Sequence, residues 1–262
     1  MVITIASIKG GVGKSTFAIL LANNLASRGH KVLVIDTDLN NTTSIYYTLG
    51  IGKISEICEH QNIMLALTQN KLKEHIIKSR IPNVDIIPST VELISIKGIE
   101  IKKLYKLLSG FEEYDYTIID TSPTYDNLVL NAIACADLIF SPCTMTEYNF
   151  NMSYFLFTKI QEDMPEKAPV CFFVINRWKE SQARYLSTVQ SQNLQIYQHY
   201  LKNIIDVTIP ESMSVDKYTN RDEKLSARTY AGDREDTRTR VARAINKIVD
   251  QIPGTNPAVE VF

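Results

Sequence analysis

The stretch Ser7–Phe17, SIKGGVGKSTF, sets two lysines, Lys9 and Lys14, around a group of glycines and follows them with two hydroxyls, Ser15 and Thr16. Glycines let backbone N–H groups turn inward around an anion, lysine adds a point charge, and a hydroxyl can ligate a metal ion. The chemistry on offer is phosphate binding. In the general pattern G-x-x-x-x-G-K-[ST] the first glycine falls at the position of Ile8, so this loop is a variant. Lys14 fits the lysine that reaches β and γ phosphates, Ser15 the hydroxyl that ligates Mg2+, and Thr16 a cap or an α-phosphate contact. One such lysine suffices for a nucleotide, and Lys9 is left over.

Two further stretches supply acids. VLVIDTD ends a candidate strand at Asp36 and carries Asp38 two residues on, and YTIID ends another at Asp120. Strand carboxyl ends gather along one edge of a parallel sheet, the same edge as a loop that follows the first strand. Asp120 is placed to hold Mg2+ through water, and Asp38 to orient an attacking water near a γ phosphate. Singly, an aspartate after a strand is more often a helix cap or turn residue. Three of them beside a phosphate loop point to a nucleotide site.

The elements that must position these residues follow from the pattern. Short apolar runs rich in β-branched residues occur at 2–7, 31–36, 84–88, 116–120, 137–143, 170–176 and 203–210. Such runs suit strands buried on both faces. Amphipathic segments at 15–28, 91–108, 127–136, 147–163, 181–201 and 235–252 read as helices between them, the last with Val241, Ile245, Ile248 and Ile252 on one stripe. The alternation predicts an α/β fold, a doubly wound, mostly parallel sheet flanked by helices. One domain over 1–262 is expected: a core to about 212, a helical part at about 213–252 and a tail at 253–262, with no helix-turn-helix domain before the first strand.

The bulk composition narrows the function. The 262 residues are 45% hydrophobic and 22% charged, and 28 basic against 29 acidic residues give a net charge of −1. That balance makes no global case for nucleic acid, so any such partner needs a local patch. No apolar run reaches the length of a membrane span. Cys58, Cys135, Cys143 and Cys171 lack paired C-x-x-C spacing and read as buried thiols, and the four histidines form no metal-binding pair. A cytoplasmic protein is expected.

KGGVGKST resembles the deviant Walker A motif of the ParA/MinD group of P-loop ATPases, in which the early lysine is the signature. VLVIDTDLNNTTS is similar to the group's second acidic motif, YDYTIIDTSPTYDNLVLNAIACADLIFSP to its Walker B region, and FFVINRW with VTIPES to its adenine-contacting elements. The resemblance implies ATP and Mg2+ as ligands. It implies that Gly10, Gly11, Val12, Gly13, Lys14, Ser15 and Thr16 hold the phosphates, that Ser15, Asp36 and Asp120 serve the metal, and that Asn176 and Pro210 flank adenine. Catalysis would rest on Lys9, Lys14 and Asp38, with Lys9 crossing a nucleotide-sandwiched homodimer to the partner's ATP. Leu39, Ser122 and Glu211 depart from the group's usual residues, and none of them is a phosphate ligand.

Outputs within the group differ. No cysteine follows Asp120 closely enough to hold a cluster, tyrosines do not gather at the end, and the tail IPGTNPAVEVF, with two prolines and no cation, is unsuited to a membrane interface. Residues 217–247 carry nine basic and five acidic side chains, and Arg240, Arg243 and Lys247 share one face of the last helix. A solvated helix face explains those three as well as contact with DNA phosphates does. The resemblance implies a ParA-type ATPase for plasmid or chromosome partition, nucleoid-associated, binding nonspecific DNA and a ParB-like adaptor protein, with no membrane partner. The alternative is a MinD-like or cargo-positioning ATPase of the same fold.

Overall fold

The computed structural model describes residues 1–96, 98–178, 203–212 and 237–256. The helix expected at 181–201, the basic residues between 217 and 236 and the end of the tail lie outside these residues. Eight strands are described: β1 (Val2–Ile5), β2 (Val32–Asp36), β3 (Ile77–Lys78), β4 (Val84–Ile87), β5 (Tyr116–Asp120), β6 (Leu138–Cys143), β7 (Cys171–Trp178) and β8 (Ile204–Pro210). They form one sheet in the order β3-β4-β2-β5-β1-β6-β7-β8. Every pairing is parallel except β3 with β4, a short edge strand running the other way.

The period-2 alternation of the strands divides their side chains between two covers. Val32 and Val34 face the helix α1 (Lys14–Ser27), together with Ile3, Ile5, Ile118 and Phe140. Leu33 and Ile35 face the opposite side, against α4 (Ile63–Gln69) and α6 (Asn127–Cys135). Farther along that second face, Val129 and Ile133 of α6 and Leu156 and Ile160 of α7 (Glu147–Asp163) cover Ile139, Phe173 and Ile175. Both sides are dry, which is why these strands read as continuous apolar runs.

Three short helices were not expected from the sequence: α2 (Thr42–Thr48), α3 (Ile54–His60) and α4. At seven residues each, they are too short to show a helical period. The single helix expected at 91–108 is also corrected. The chain forms a 3-10 turn at Val91–Ser95, leaves helical geometry, passes Gly98 at φ 69°, and resumes as α5 (Lys103–Leu108). Positive φ at Gly98 interrupts the helix between Ile96 and Ile99.

The last described helix, α8 (Thr237–Val249), packs on the α1 side of the sheet, with Val241, Ala244, Ile245, Ile248 and Val249 buried against α1 and β8. A polar knot fixes its far end. The Arg28 side chain, 1% exposed, pairs with Asp250 at 2.7 Å and donates to Asn24 Oδ1, the Asn246 carbonyl and the Asn256 carbonyl. Asn256 returns two bonds, its backbone N–H to His30 Nε2 and its side-chain amide to the Arg28 carbonyl. Arg28→Ala should therefore cost about 2–4 kcal/mol, because it removes a buried guanidinium and the charge-assisted network it makes with Asn24, Asn246, Asp250 and Asn256. Urea unfolding measures this. Asp250→Asn should cost far less, since that carboxylate is 54% exposed.

Candidate functional site

The carboxyl ends of β1, β2 and β5 meet at one edge, where a cavity of about 330 Å³ opens between the β1–α1 loop and the ends of β7 and β8. Gly10, Gly11, Gly13, Lys14, Ser15, Thr16, Asp38, Asn176 and Pro210 line it. The size suits a small-molecule ligand. Among the sequence-predicted residues, Lys9, Val12, Asp36 and Asp120 are not on its wall.

The loop itself is held open for an anion. Gly13 stands at the N-cap of α1 with φ 91°, no side chain caps the helix, and its first turn contains no acid. By contrast, Asp126 caps α6 through the N–H groups of Leu128 and Val129, and Thr146 caps α7. The N-terminal N–H groups and dipole of α1 thus face the cavity without a side-chain partner, which is the state in which they bind phosphate. Gly13 is required twice over. Its φ is left-handed, and a Cβ there would lie 2.5 Å from Asn176 Nδ2.

Lys14 is buried, and its ammonium reaches back 3.5 Å to the Lys9 carbonyl. Burial pulls it below the ordinary lysine range, while the charges of Asp120 and Asp38 act the other way. A buried cation on flexible methylenes, opposed only by nearby carboxylates, is suited to take a phosphate as its counter-ion. Lys9 points elsewhere. Its ammonium sits 4.7 Å from the ring centroid of Tyr148, near the start of α7.

Asp36 and Asp120 lie side by side in register on β2 and β5, both fully buried. Asp36 accepts from the Asp38 N–H through one oxygen, and from the N–H and hydroxyl of Ser44 through the other. Both its oxygens are spent on the segment that carries Asp38, so its task in this structure is to hold that segment. Asp120 Oδ2 accepts from Thr43 at 2.5 Å, and its Oδ1 is buried without a hydrogen-bond donor. Burial, with the charge of its neighbour Asp120, pushes Asp36 up to about 8. Burial likewise raises Asp120 to about 6, with Asp38 adding to the rise and Thr43, Ser15 and Lys14 opposing it.

An orphaned carboxylate oxygen beside Ser15 and Asp38 is the arrangement into which a divalent cation fits, because the cation supplies the positive charge the pair lacks. Asp38 lines the cavity and accepts from the N–H and the side-chain amide of Asn40, each at 3.0 Å, which fixes its carboxylate. Asn40, Thr42, Pro123, Arg177 and Glu211 also line the cavity and were not expected from the sequence. The hydroxyl run Thr42-Thr43-Ser44 just after Asp38 was a visible signal. On α8, Val241 reaches the cavity, Arg240 is half-buried, and Arg243 and Lys247 are exposed on the outer face.

Residues 1–164 match the family model described as an AAA domain. The chain belongs to the ParA/MinD-type family of P-loop ATPases. An uncharacterized protein of Methanocaldococcus jannaschii is 28% identical over 233 residues, covering 83% of this chain and 87% of that one. The chromosome partitioning protein ParA of Caulobacter vibrioides is 32% identical over 150 residues, 54% of this chain and 55% of ParA, so the match spans about half of each. A solved structure assigned to plasmid partition in Borrelia burgdorferi, bound to AMPPNP, shares 29% identity at a TM-score of 0.76, covering 96% of this chain and 98% of that one.

The buried acid pair gives a pH-dependent prediction for this ParA-family protein without nucleotide. Asp120 holds its proton longer in the folded chain than in the unfolded one, so its contribution to stability is full below about pH 4 and is lost as pH rises toward 6. Asp120→Asn keeps an acceptor for Thr43 and cannot ionise. The variant should match the parent near pH 4 and exceed it by about 1–3 kcal/mol above pH 6, as measured by denaturant unfolding across that range.

Proposed function

We propose that this chain is a ParA-type ATPase that partitions plasmid or chromosomal DNA. The observation that carries the reading is the uncapped N-terminus of α1 beside Lys14, Ser15 and a buried carboxylate with an orphaned oxygen. The similarity over nearly the whole chain to an AMPPNP-bound partition protein supports the same ligand and task.

In this reading the Gly10–Thr16 loop and Lys14 bind the phosphates of ATP, with Asn176 and Pro210 at the base. Ser15 and Asp120 would hold Mg2+, which when bound neutralises phosphate charge. Asp36 acts behind them by fixing the segment that bears Asp38. Asp38, oriented by Asn40, accepts a proton from or aligns the water that attacks the γ phosphate. Lys9 does not line its own chain's cavity, which supports a role toward the nucleotide of a second subunit. A cation delivered that way adds positive charge where negative charge develops, and makes ATP occupancy and homodimerisation depend on each other.

The output side is α8. Arg243 and Lys247 are exposed on the helix whose inner face reaches the cavity through Val241, and they would contact the phosphate backbone of DNA without reading sequence. A ParB-like adaptor would stimulate hydrolysis and release, in the cytoplasm and on the nucleoid.

ATP with Mg2+, but not ADP, should make the protein dimeric and able to retard DNA of arbitrary sequence. Retention should fall as salt rises, as measured by light scattering and gel shift. Lys9→Ala should abolish the ATP-dependent dimer and lower turnover by about 10²-fold or more, and Asp38→Ala should accumulate a DNA-bound dimer by slowing hydrolysis. Liposome binding with ATP, in place of DNA binding, would refute partition in favour of a MinD-like output.

A further inference from the structure

Asn176 and Arg177, at the end of β7, line the cavity and clasp the phosphate loop. Asn176 Nδ2 donates to the Val12 carbonyl at 2.8 Å, and Arg177 Nη1 donates to the Gly11 carbonyl at 3.0 Å. Arg177 does so from a left-handed backbone, φ 57°, which a side-chain-bearing residue adopts at a cost. Its own N–H donates to Asn176 Oδ1 at 2.9 Å, and its Nε lies 3.7 Å from Glu211 Oε1, just past the end of β8. One strained residue thus joins the phosphate loop, β7 and the β8 end, and nothing in the loop motif calls for it.

The planarity of the peptide bond turns this clasp into an aiming device. In a trans amide the C=O of one residue and the N–H of the next point in opposite directions. Holding the Gly11 and Val12 carbonyls toward β7 therefore directs the Val12 and Gly13 N–H groups away from β7. Gly11 and Gly13 both have positive φ, 76° and 91°, and glycine offers these peptides more alternative orientations than another residue would, which the two donors restrict. A preorganised loop binds phosphate without first losing that freedom.

We propose that Arg177 is a positioning residue for the phosphate loop, setting the direction of the Val12 and Gly13 amides through the Gly11 carbonyl. The proposal rests on the nucleotide reading above. Arg177→Gly and Arg177→Asn both remove the guanidinium and both tolerate the left-handed backbone, so either one carries the test if the other folds poorly. Two measurements on the full-length chain decide it: calorimetric titration with ATP and ADP in Mg2+, and hydrogen exchange of the 9–17 peptide without nucleotide.

The expected result is a loss of about tenfold in affinity for both nucleotides, the low end for a charged hydrogen bond from a half-exposed donor. Exchange of the loop amides should be faster in the same variants, and Arg177→Lys should restore part of both. Weaker binding with unchanged exchange would mean that Arg177 touches the nucleotide directly, and faster exchange with unchanged affinity would mean that loop order does not limit binding. Either result, or no change in both, overturns the proposal. Failure of the parent protein to bind ATP overturns the nucleotide reading instead.

Discussion

Two carboxylates sealed in register at the carboxyl edge of the sheet are the constraint around which the site is built. Asp36 and Asp120 cannot both be charged there at low cost. The fold answers by bringing α2 over them, so that Ser44 satisfies one acid and Thr43 half of the other. That contact determines the path of residues 37–44 and hence where Asp38 and Asn40 stand. Thr37 adds to it by donating both its N–H and its hydroxyl to the Asp120 carbonyl. The half left unsatisfied, Asp120 Oδ1, lies buried near Ser15 and Lys14, on the phosphate-loop side of the pair.

The cavity is assembled from two ends of the chain with separate tasks. Its phosphate end comes from the β1–α1 loop, where the helix N-terminus has no side-chain cap and a buried lysine stands beside it. Its other end comes from β7, β8 and α8, whose contributions are mostly shape: Pro210, Ile209 and Val241. Asn176 and Arg177 are where the two ends touch. Because Asn176 bonds the loop and also occupies the space a Gly13 side chain would need, sequence at position 13 and geometry at position 176 constrain each other.

Much of this was legible in the sequence, for identifiable reasons. Strands buried on both faces leave unbroken β-branched runs, so seven of the eight were visible; the eighth, Ile77–Lys78, is too short to leave a pattern. The phosphate loop was legible because its chemistry demands glycine, lysine and hydroxyls at fixed spacing. The second task of Asp36 was hidden, because its partner Ser44 lies on a seven-residue helix with no periodic signature. Arg177 was hidden more deeply. Left-handed backbone is usually announced by glycine or asparagine, and here it is borne by an arginine whose reward is a contact made across 166 residues of chain. The stretch 91–108 misled in the opposite sense, its many isoleucines and leucines suggesting one continuous helix that Gly98 divides.

The place of α8 also bears on the order in which the protein can come to life. The phosphate loop leaves the ribosome well before Val241, which walls the far end of the same cavity, and Asp250, which ties α8 to Arg28. At ordinary elongation rates the two are separated by on the order of tens of seconds. Throughout that interval the loop is present but the pocket is not. α8 thus closes the pocket late, so that a chain interrupted before it holds a nucleotide motif without a finished compartment for the nucleotide.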